Sequence, residues 1–428
     1  MTDSQLPLAP TLLALAVALP LARAGGVLAR KLGQPEVLGE LLAGLLLGVL
    51  PLLGVTSPFA GDALNPIELL AELGAAVLLF EAGLDSEPSE LLRAGLAATL
   101  VAPVGVLAPT LLGMLAARLL LPEGTSPIAT AFIGATLSAT SVGITVRVLR
   151  DLGQSHTREA RIVLGAAVVD DVLGLLLLSL LVAVARAEDA GGSVSVSDTL
   201  VLLAKAVAFL GLAVAVLPAV LRRLPVRARH HLGSVPFGLA LCFLLCWASD
   251  EIGLAPVVGA FAAGVALASA RLEQPAPGSY QISYQGTLPL RAGLSGIASL
   301  LVPLFFLAMG LRVDLDAATR GHAPLLALVL VLVAIVGKLL SGLAAPGRGL
   351  NRLAIGVGMI PRGEVGLIFA GIGQKLTLHG EPLVGPGVSS ALVVVMLVTT
   401  LVTPPALRLV FAREARRAAR AAASTHGS

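Results

Sequence analysis

The sequence predicts an all-α polytopic membrane protein, and its composition is the first reason. Hydrophobic residues make up 56% of the 428 residues, charged residues only 13%, and the mean hydropathy is +0.94. A soluble domain carries about a quarter charged residues, so a chain with this composition is too apolar for water. It instead repeats apolar runs of about 20 residues, the length that crosses a bilayer. We therefore predict a single membrane domain over residues 1–428, surrounded by lipid.

The lengths of the apolar runs and the short polar connectors between them predict thirteen transmembrane helices. The 47 glycines and 27 prolines fit this assignment because both are commoner in membrane helices than in soluble ones. The predicted spans cover residues 6–29, 36–54, 66–84, 94–120, 127–149, 160–186, 198–221, 234–250, 252–270, 293–311, 322–344, 350–374 and 384–411.

The lysines and arginines predict the orientation of the spans. Of the 29, 21 lie at connectors that follow odd-numbered spans or in the C-terminal tail, and 5 lie at connectors that follow even-numbered spans. Because basic connectors stay in the cytoplasm, we expect the N-terminus outside and the basic tail, residues 412–428, inside. Since the basic residues set topology, the pI near 9.2 predicts no nucleic-acid partner.

An internal repeat relates the two halves of the chain. Three matched segments occur in the same order at offsets of 220, 227 and 223 residues: 37–39 with 257–259, 83–84 with 310–311, and 142–144 with 365–367. They pair span 2 with 9, 3 with 10 and 5 with 12. The two members of each pair are seven spans apart, and because seven is odd the second unit is inverted in the membrane. Inverted repeats are typical of secondary transporters, with the substrate site near the midplane. The predicted boundaries are 36–186 for the first repeat, 198–221 for a linker span, 234–250 for span 8 and 252–411 for the second repeat.

Spans 5 and 12 are predicted to be two crossed, broken helices. Span 5 contains a dense hydroxyl cluster at mid-span, residues 137–145, which includes Ser138, Thr140 and Ser141. Span 12 contains Pro361 within a glycine-rich segment, and proline removes a backbone donor and disfavours helix at the preceding residue. Unwound backbone at membrane depth requires burial in protein or a wet cavity. The alternative for span 5 is that its hydroxyls bond back to their own helix.

Arg362 and Glu364 lie within the predicted break of span 12. Helix ends that meet near the midplane carry partial charges, which these two side chains can compensate. We therefore expect a structural role for the pair, and direct ion handling is the alternative.

Asp170 and Asp171 at the middle of span 6, and Lys338 deep in span 11, are the predicted centre of the site. Each isolated charge at the bilayer centre costs roughly 2.5–3.5 kcal/mol on insertion scales, so such charges are paired or used. Consecutive helix positions point about 100° apart, which lets one aspartate face Lys338 and the other a water-filled funnel. A structural salt bridge alone would leave the second carboxylate unexplained.

Other charges in the spans are weaker candidates. Glu40 and Glu81 are candidates for an access path, whereas Glu72 and Asp250 lie near interfaces and Lys205 can extend to the interface.

A carboxylate binds a hard monovalent cation and a proton with the same oxygens, so the two compete for one site. Competition at a site open to one side at a time gives obligatory exchange. The sequence has no phosphate-cradling loop, so we predict neither an ATP-driven pump nor an enzyme, and no cofactor. The predicted substrates are a monovalent cation and protons.

Four segments together resemble the second monovalent cation:proton antiporter family, and within it the bacterial NapA-type sodium/proton antiporters. They are residues 33–44 (GQPEVLGELLAG), 140–145 (TSVGIT), the Asp170-Asp171 pair and 361–368 (PRGEVGLI). The resemblance implies Na⁺ as the cation, a homodimer in the bacterial inner membrane, elevator-type alternating access and a part in pH homeostasis. It also implies that Asp171 carries the Na⁺ and the proton, that Asp170 pairs with Lys338, and that Thr140 lies beside the site. The paired aspartates are typical of electrogenic members.

Two alternatives stay open from the sequence. A Kef-type potassium/proton antiporter usually carries a C-terminal nucleotide-binding domain, which does not follow Arg413 here. An ion channel could also place polar residues at mid-membrane, but the repeat and the carboxylate–lysine combination argue against it. Selectivity among Na⁺, Li⁺ and K⁺, and whether Lys338 itself carries a proton, are left undecided.

Overall fold

The computed structural model describes residues 8–50, 64–85, 95–141, 144–145, 148–149, 152–154, 157–189, 196–223, 234–270, 290–314, 319 and 323–425. This part of the chain is almost entirely helical. The short strands β1 (Thr377–Leu378) and β2 (Glu381–Pro382) form a two-stranded sheet between two helices.

The helices follow the predicted order. The first half of the described chain contains α1 (Leu8–Lys31), α2 (Glu36–Val49), α3 (Leu64–Asp85), α4 (Gly95–Leu120), α5 (Pro127–Thr136), α6 (Arg158–Asp189), α7 (Val196–Gly211) and α8 (Leu217–Arg223). A π-helical turn, Leu212–Val216, joins α7 to α8. The second half contains α9 (Val235–Glu251), α10 (Pro256–Ala270), α11 (Leu290–Leu311), α12 (Ala323–Leu343), α13 (Arg352–Gly358), α14 (Glu364–Lys375) and α15 (Pro386–Thr425).

Six described helices are long and apolar enough to cross a membrane, which confirms an integral membrane protein. They are α1, α4, α6, α11, α12 and α15, and α5 and α10 are shorter apolar helices. The count of thirteen spans stays a prediction.

Helix α10 begins at Pro256, four residues after the approximate start of the predicted span over residues 252–270. Gly253 adopts the left-handed conformation (φ +88°), and the backbone N–H of Leu254 donates to the carbonyl of Ser249 at 2.9 Å. A glycine after the last turn and a proline at the first helical position are the usual stop and start signals. A chain that reverses direction in four residues needs this turn.

The helices form two compact units. Residues 1–90, 178–313 and 377–380 form unit 1, and residues 91–177, 314–376 and 381–428 form unit 2. Helix α6 contributes its first part to unit 2 and its last part to unit 1.

Unit 1 is held together by close helix contacts at glycines. A Cβ atom placed on Gly44 of α2 would lie 2.0 Å from the carbonyl oxygen of Leu307 on α11, and one on Gly264 of α10 would lie 2.2 Å from that of Phe80 on α3. Such distances exclude any side chain, so these glycines allow backbone-to-backbone packing. Small residues at helix interfaces are the usual device of membrane proteins, where helices gain no hydrophobic energy by leaving lipid.

Unit 2 carries the same kind of packing around α4 and α12. A Cβ atom on Gly337 of α12 would lie 2.7 Å from backbone atoms of Pro109 on α4, and one on Gly134 of α5 would lie 2.2 Å from the carbonyl oxygen of Thr110. Buried apolar side chains from α4, α6 and α13 pack in one cluster of this unit, which includes Val101, Val163 and Ile355. These contacts bring α4, α5, α6, α12 and α13 together around the predicted site residues.

Candidate functional site

Both predicted helix breaks are present in unit 2. Helix α5 ends at Thr136, and residues 139–141 are non-helical before helical conformation returns at Ile144. Helix α13 ends at Gly358, and α14 begins at Glu364. Residues 359–363 between them make no helix, as the proline in this segment predicts.

The two breaks contact each other directly. The backbone N–H of Ser141 donates to the carbonyl of Pro361 at 2.8 Å. The hydroxyl of Thr140 donates to the carbonyl of Met359 at 3.3 Å, and that of Thr145 donates to the carbonyl of Gly358 at 2.7 Å. The hydroxyls of the first break therefore satisfy carbonyls that the second break leaves without helical partners.

The alternative for the hydroxyl cluster holds for Ser138, and Thr145 combines both arrangements, since its hydroxyl also lies 3.5 Å from the carbonyl of Ser141. The hydroxyl of Ser138 donates at 2.8 Å to the carbonyl of Ala135, three residues earlier in its own chain. Ser138 thus closes the end of α5, whereas Thr140 and Thr145 bridge the two breaks. Thr145 was not among the predicted site residues, although it belongs to the same sequence cluster.

Arg362 is completely buried and joins several elements of unit 2. Its Nη2 donates to the carbonyl of Ala334 on α12 at 2.9 Å, and its Nη1 donates to the carbonyl of Ala139 at 3.4 Å. Its own carbonyl accepts a hydrogen bond from the hydroxyl of Thr400 on α15. Arg362 is thus a buried cation bonded to carbonyls, and its structural role stays a prediction. The side chain of Glu364 lies outside the described residues, so its role stays a prediction.

Lys338 and Asp170 form a buried ion pair. Nζ of Lys338 donates to Oδ1 of Asp170 at 2.9 Å and to Oδ2 at 3.1 Å, and neither side chain is exposed. The hydroxyl of Ser341, one turn further along α12, donates to the carbonyl of Lys338 at 2.6 Å. A Cβ atom placed on Gly105 of α4 would lie 3.4 Å from Nζ of Lys338, so the absence of a side chain there leaves room for the pair.

Asp171 differs from its neighbour in its surroundings, because it is partly exposed where Asp170 is fully buried. The two positions point about 100° apart on α6. One turn beyond Asp171, a Cβ atom placed on Gly174 would lie 3.8 Å from Cζ of Phe369 on α14 and 4.0 Å from Oγ of Ser138. The structure thus brings α6, the first break and α14 together beside Asp171.

The weaker candidates belong to unit 1. Glu40 of α2 is 4% exposed and Glu81 is partly exposed, whereas Glu72 and Lys205 are exposed. Asp250 forms an exposed ion pair with Arg186 at 3.0 Å. An access path lined by Glu40 or Glu81 stays a prediction.

The described residues contain no group of three or more His, Cys, Asp or Glu side chains placed to hold a resident metal ion. Two broken helices meeting beside a buried carboxylate–ammonium pair are features of secondary membrane transporters.

The sequence profile of the family described as "Sodium/hydrogen exchanger, transmembrane" matches residues 14–413. The chain therefore belongs to the sodium/hydrogen exchanger family, which confirms the family predicted from the sequence motifs.

Relatives of known description agree with this assignment. The chain is 33% identical to the high-affinity Na⁺/H⁺ antiporter NhaS3 of Synechocystis sp., over 95% of this chain and 91% of the relative. It is 32% identical to the Na⁺/H⁺-K⁺ antiporter GerN of Bacillus cereus, over 90% of this chain and 92% of the relative. These relatives are transporters and not enzymes.

The fold resembles a solved transporter structure. The sodium proton antiporter MjNhaP1 from Methanocaldococcus jannaschii superposes with a TM-score of 0.70 at 18% identity, over 94% of this chain and 98% of that chain. At this level of identity the likeness concerns the fold alone.

Proposed function

We propose that the protein is a secondary active antiporter that exchanges Na⁺ for protons across the membrane. The observation that carries the proposal is the partly exposed Asp171 beside the buried Lys338–Asp170 pair, in a chain of the exchanger family. NhaS3 and GerN, which are both described as Na⁺/H⁺ antiporters, support Na⁺ as the cation.

In the proposed mechanism, Na⁺ and H⁺ compete for the carboxylate of Asp171. The cation sheds part of its water and binds the carboxylate oxygens, with Thr140 and the backbone carbonyls of the breaks close by. A proton that binds the same oxygens removes the negative charge and so releases the cation. Because only one of the two substrates occupies Asp171, each passage of the site across the membrane carries one or the other.

The transport cycle is proposed to be electrogenic. Asp170 and Lys338 hold one negative and one positive charge in a site without solvent. If Lys338 releases its proton when Na⁺ binds, two protons move for each cation, and the cycle carries net charge. The transported Na⁺ and H⁺ are the only small-molecule partners that we propose, and no cofactor takes part.

The proposed architecture is thirteen transmembrane helices built from an inverted repeat with crossed breaks. Gly44 contacts Leu307, and Gly264 contacts Phe80. Gly264 follows Gly44 by 220 residues and Leu307 follows Phe80 by 227, the same offsets as two of the sequence matches. This equivalence supports the repeat, because two related halves should make related contacts.

A further pair of contacts extends the proposed repeat. A Cβ atom on Gly39 would lie 2.0 Å from the carbonyl oxygen of Gly25 on α1, and one on Gly259 would lie 2.0 Å from that of Leu245 on α9. Both residue pairs are related by an offset of 220. We therefore propose that the first span and span 8 also belong to the repeats. The boundaries predicted from the sequence, 36–186 and 252–411, leave both spans outside.

We further propose elevator-type alternating access in a homodimer, with the N-terminus outside and the C-terminal tail in the cytoplasm of a bacterial cell. The family resemblance and the distribution of basic residues support these points.

K⁺ transport is the second candidate function, because the relative GerN is described as a Na⁺/H⁺-K⁺ antiporter. A carboxylate site does not by itself discriminate between these two cations. We do not propose a Kef-type protein or a channel, since the relatives support sodium exchange and a fully buried ion pair does not suit an open pore.

The test is cation-driven proton flux in proteoliposomes that contain the purified protein and a pH-sensitive dye. Addition of Na⁺ to one side should dissipate an imposed pH gradient, and Li⁺ and K⁺ are tested in turn at equal ionic strength. Empty liposomes and Asp171→Asn liposomes are the controls. Absence of any cation-dependent proton movement by the wild type would reject the proposed function.

A further inference from the structure

The first turn of α6 is bonded to the broken helix at a point remote from the site. Oε1 of Glu159 accepts a hydrogen bond from the backbone N–H of Asn351 at 3.0 Å. The side chain of Asn351 in turn caps α13, because its Oδ1 accepts from the backbone N–H of Ala354 at 3.0 Å. A carboxylate of α6 therefore holds the residue that caps α13.

The same face of α6 follows the broken helix from end to end in unit 2. With 100° per residue, Glu159, Val163, Asp170 and Gly174 lie within about 60° of one another around the helix. Val163 contacts α13, since a Cβ atom on Gly358 would lie 3.0 Å from its Cγ2. Gly174 contacts Phe369 of α14, as described above. Between these contacts, Asp170 lies on the face that turns toward the break.

The break gives an external support a role. Continuous helices fix the spacing of their residues by i→i−4 hydrogen bonds, whereas residues 359–363 are non-helical. Helix α13 has only seven residues, about two turns, so its position depends on its neighbours. It packs against α6 in the cluster that includes Val163 and Ile355, and against α12 at Gly342 and Gly356. Its last carbonyl, at Gly358, receives the hydroxyl of Thr145, and the next, at Met359, receives that of Thr140.

We propose that Glu159 is a positioning residue that sets the register of α13 against α6. By holding Asn351, it fixes where the carbonyls of Gly358 and Met359 lie relative to Asp170 and Asp171, about 11 residues or roughly 16 Å further along α6. The inference rests on the proposed function for its effect on cation binding. The register itself is a property of the fold and is tested separately.

Two substitutions at Glu159 separate this role from a purely helix-stabilising one. An acidic residue in the first turn also stabilises its own helix through the helix dipole. Glu159→Gln loses that charge but keeps the Oε1 acceptor, whereas Glu159→Ala loses both. If the bond to Asn351 is what matters, the glutamine variant resembles the wild type and the alanine variant does not.

Thr157 provides the matched control at the same end of α6. Its Oγ1 accepts from the backbone N–H of Ala160 at 3.2 Å and donates to the carbonyl of Gln154 at 2.8 Å, so its side-chain hydrogen bonds cap α6 locally. Thr157→Ala should destabilise the helix end but leave the register unchanged. Asn351→Ala is a second control, because it removes the cap of α13 and keeps the N–H that Glu159 binds.

The first measurement is the Na⁺ concentration for half-maximal exchange in proteoliposomes. Glu159→Ala should raise it by about tenfold, the upper part of the range for one ordinary hydrogen bond, with maximal exchange less affected. Glu159→Gln and Thr157→Ala should stay within about twofold of the wild type. The proposal would be overturned if Glu159→Ala kept the wild-type Na⁺ concentration for half-maximal exchange. It would also be overturned if Thr157→Ala raised that concentration as much as Glu159→Ala does.

The second measurement does not depend on transport. The Cβ position of Gly358 lies 3.6 Å from Cβ of Val163, within the range for a disulfide. The double variant Val163→Cys with Gly358→Cys, in a background without Cys242 and Cys246, should form this cross-link under mild oxidation. Added Glu159→Ala should slow the cross-link severalfold, and Thr157→Ala should not.

The two measurements distinguish the possible failures. Unchanged cross-linking in the Glu159→Ala background rejects the register role, whatever the transport result. Slower cross-linking with unchanged Na⁺ half-saturation shows that the register does not reach the ion site, and it overturns the positioning role. A wild type that exchanges no cation rejects the proposed function, while the cross-link still decides the register.

Discussion

Nζ of Lys338 lies between the two carboxylate oxygens of Asp170, 2.9 and 3.1 Å away, and both side chains are fully buried. Removing two charges from solvent costs several kcal/mol for each, which their attraction repays only when the geometry is good. The pair therefore contributes less to stability than its short distances suggest. Because the pair lies beside the partly exposed Asp171, we propose a second role for it, as a pair of charges next to the proposed cation site.

The first prediction separates the two aspartates. Asp171→Asn should abolish cation-dependent proton flux, because an amide keeps the shape but cannot bind a proton at neutral pH. The variant should melt within a few degrees of the wild type, since the substituted side chain is partly exposed. Asp170→Asn should instead be less stable by about 3–5 kcal/mol, because it leaves Lys338 buried without its counter-ion.

The measurements are proton flux in proteoliposomes and thermal unfolding in detergent, with the two variants made side by side. Near-normal exchange by Asp171→Asn would contradict the assignment of the carrier. A reversed pattern, with the larger stability loss at position 171, would exchange the roles of the two residues.

Part of this site could be predicted from the sequence because its physics is local. Charges in an apolar span are expensive wherever they lie, so Asp170, Asp171 and Lys338 stood out without a structure. Pro361 likewise indicates a break on its own, since proline lacks a backbone donor. The turn before Pro256 also has two local signals, Gly253 and the proline, whereas the apolar run that continues across them does not mark the helix start.

The hydrogen-bond partners within the site depend on which distant segments of the chain lie next to each other, and no local sequence pattern gives that information. Ser138 and Thr145 belong to one hydroxyl cluster, yet the first bonds to its own helix and the second to the other break. The partners of Arg362 are carbonyls, which every residue has, so nothing in the sequence singles out Ala334 or Ala139. From the sequence alone, Glu159 is an ordinary acidic residue at a helix start, and only the structure shows that it binds Asn351.

The second prediction concerns the bond between the breaks. Thr145→Val removes the donor to the carbonyl of Gly358 and leaves that buried carbonyl without this partner, at a cost of about 1–3 kcal/mol in the free energy of unfolding. The matched control is Thr399→Val on α15. Its hydroxyl donates at 2.7 Å to the carbonyl of Val395 in its own helix, which keeps its backbone hydrogen bond. Equal losses in the two variants by thermal unfolding would show that the bridge between the breaks adds nothing.

The third prediction concerns the guanidinium of Arg362. Arg362→Lys keeps the positive charge but loses the planar group that reaches the carbonyls of Ala334 and Ala139 together. We expect a loss of about 1–3 kcal/mol in the free energy of unfolding. Arg352→Lys is the control, because Arg352 is exposed and its Nε donates to one carbonyl, that of Ala345. If the lysine variant at 362 is as stable as the control, the charge alone supports the breaks.

The fourth prediction tests the orientation in the membrane. A reporter fused after Arg420 should be cytoplasmic, because the tail follows the more basic set of connectors. A reporter inserted between residues 188 and 197 should be external. The measurement is paired reporter activity, with an enzyme that works only outside and a fluorescent protein that works only inside. Both sites on the same side would mean that the span count is off by one, and the inverted repeat would then fail.

The last prediction concerns the two roles of Lys338, as a structural partner and as a proton carrier. Lys338→Gln removes the ammonium and leaves the buried Asp170 without its counter-ion, a change that typically costs 3–5 kcal/mol. Asp170 escapes much of this cost when it takes up a proton and becomes neutral. The variant should therefore unfold at a lower temperature than the wild type and still bind Na⁺ through Asp171.

Transport at controlled membrane potential separates the roles. If Lys338 carries a proton in each cycle, Lys338→Gln moves one charge fewer, and its exchange rate should lose its dependence on potential. If Lys338 is only a structural partner of Asp170, the surviving exchange should keep the voltage dependence of the wild type. The measurement is proton flux in liposomes clamped at several K⁺ diffusion potentials, with wild type and variant reconstituted at equal density. Arg362→Lys is the control for destabilisation, because it weakens the same unit while the Lys338–Asp170 pair stays in place. A voltage dependence that disappears in Lys338→Gln but persists in Arg362→Lys assigns the second transported proton to Lys338, and persistence in both rejects that assignment.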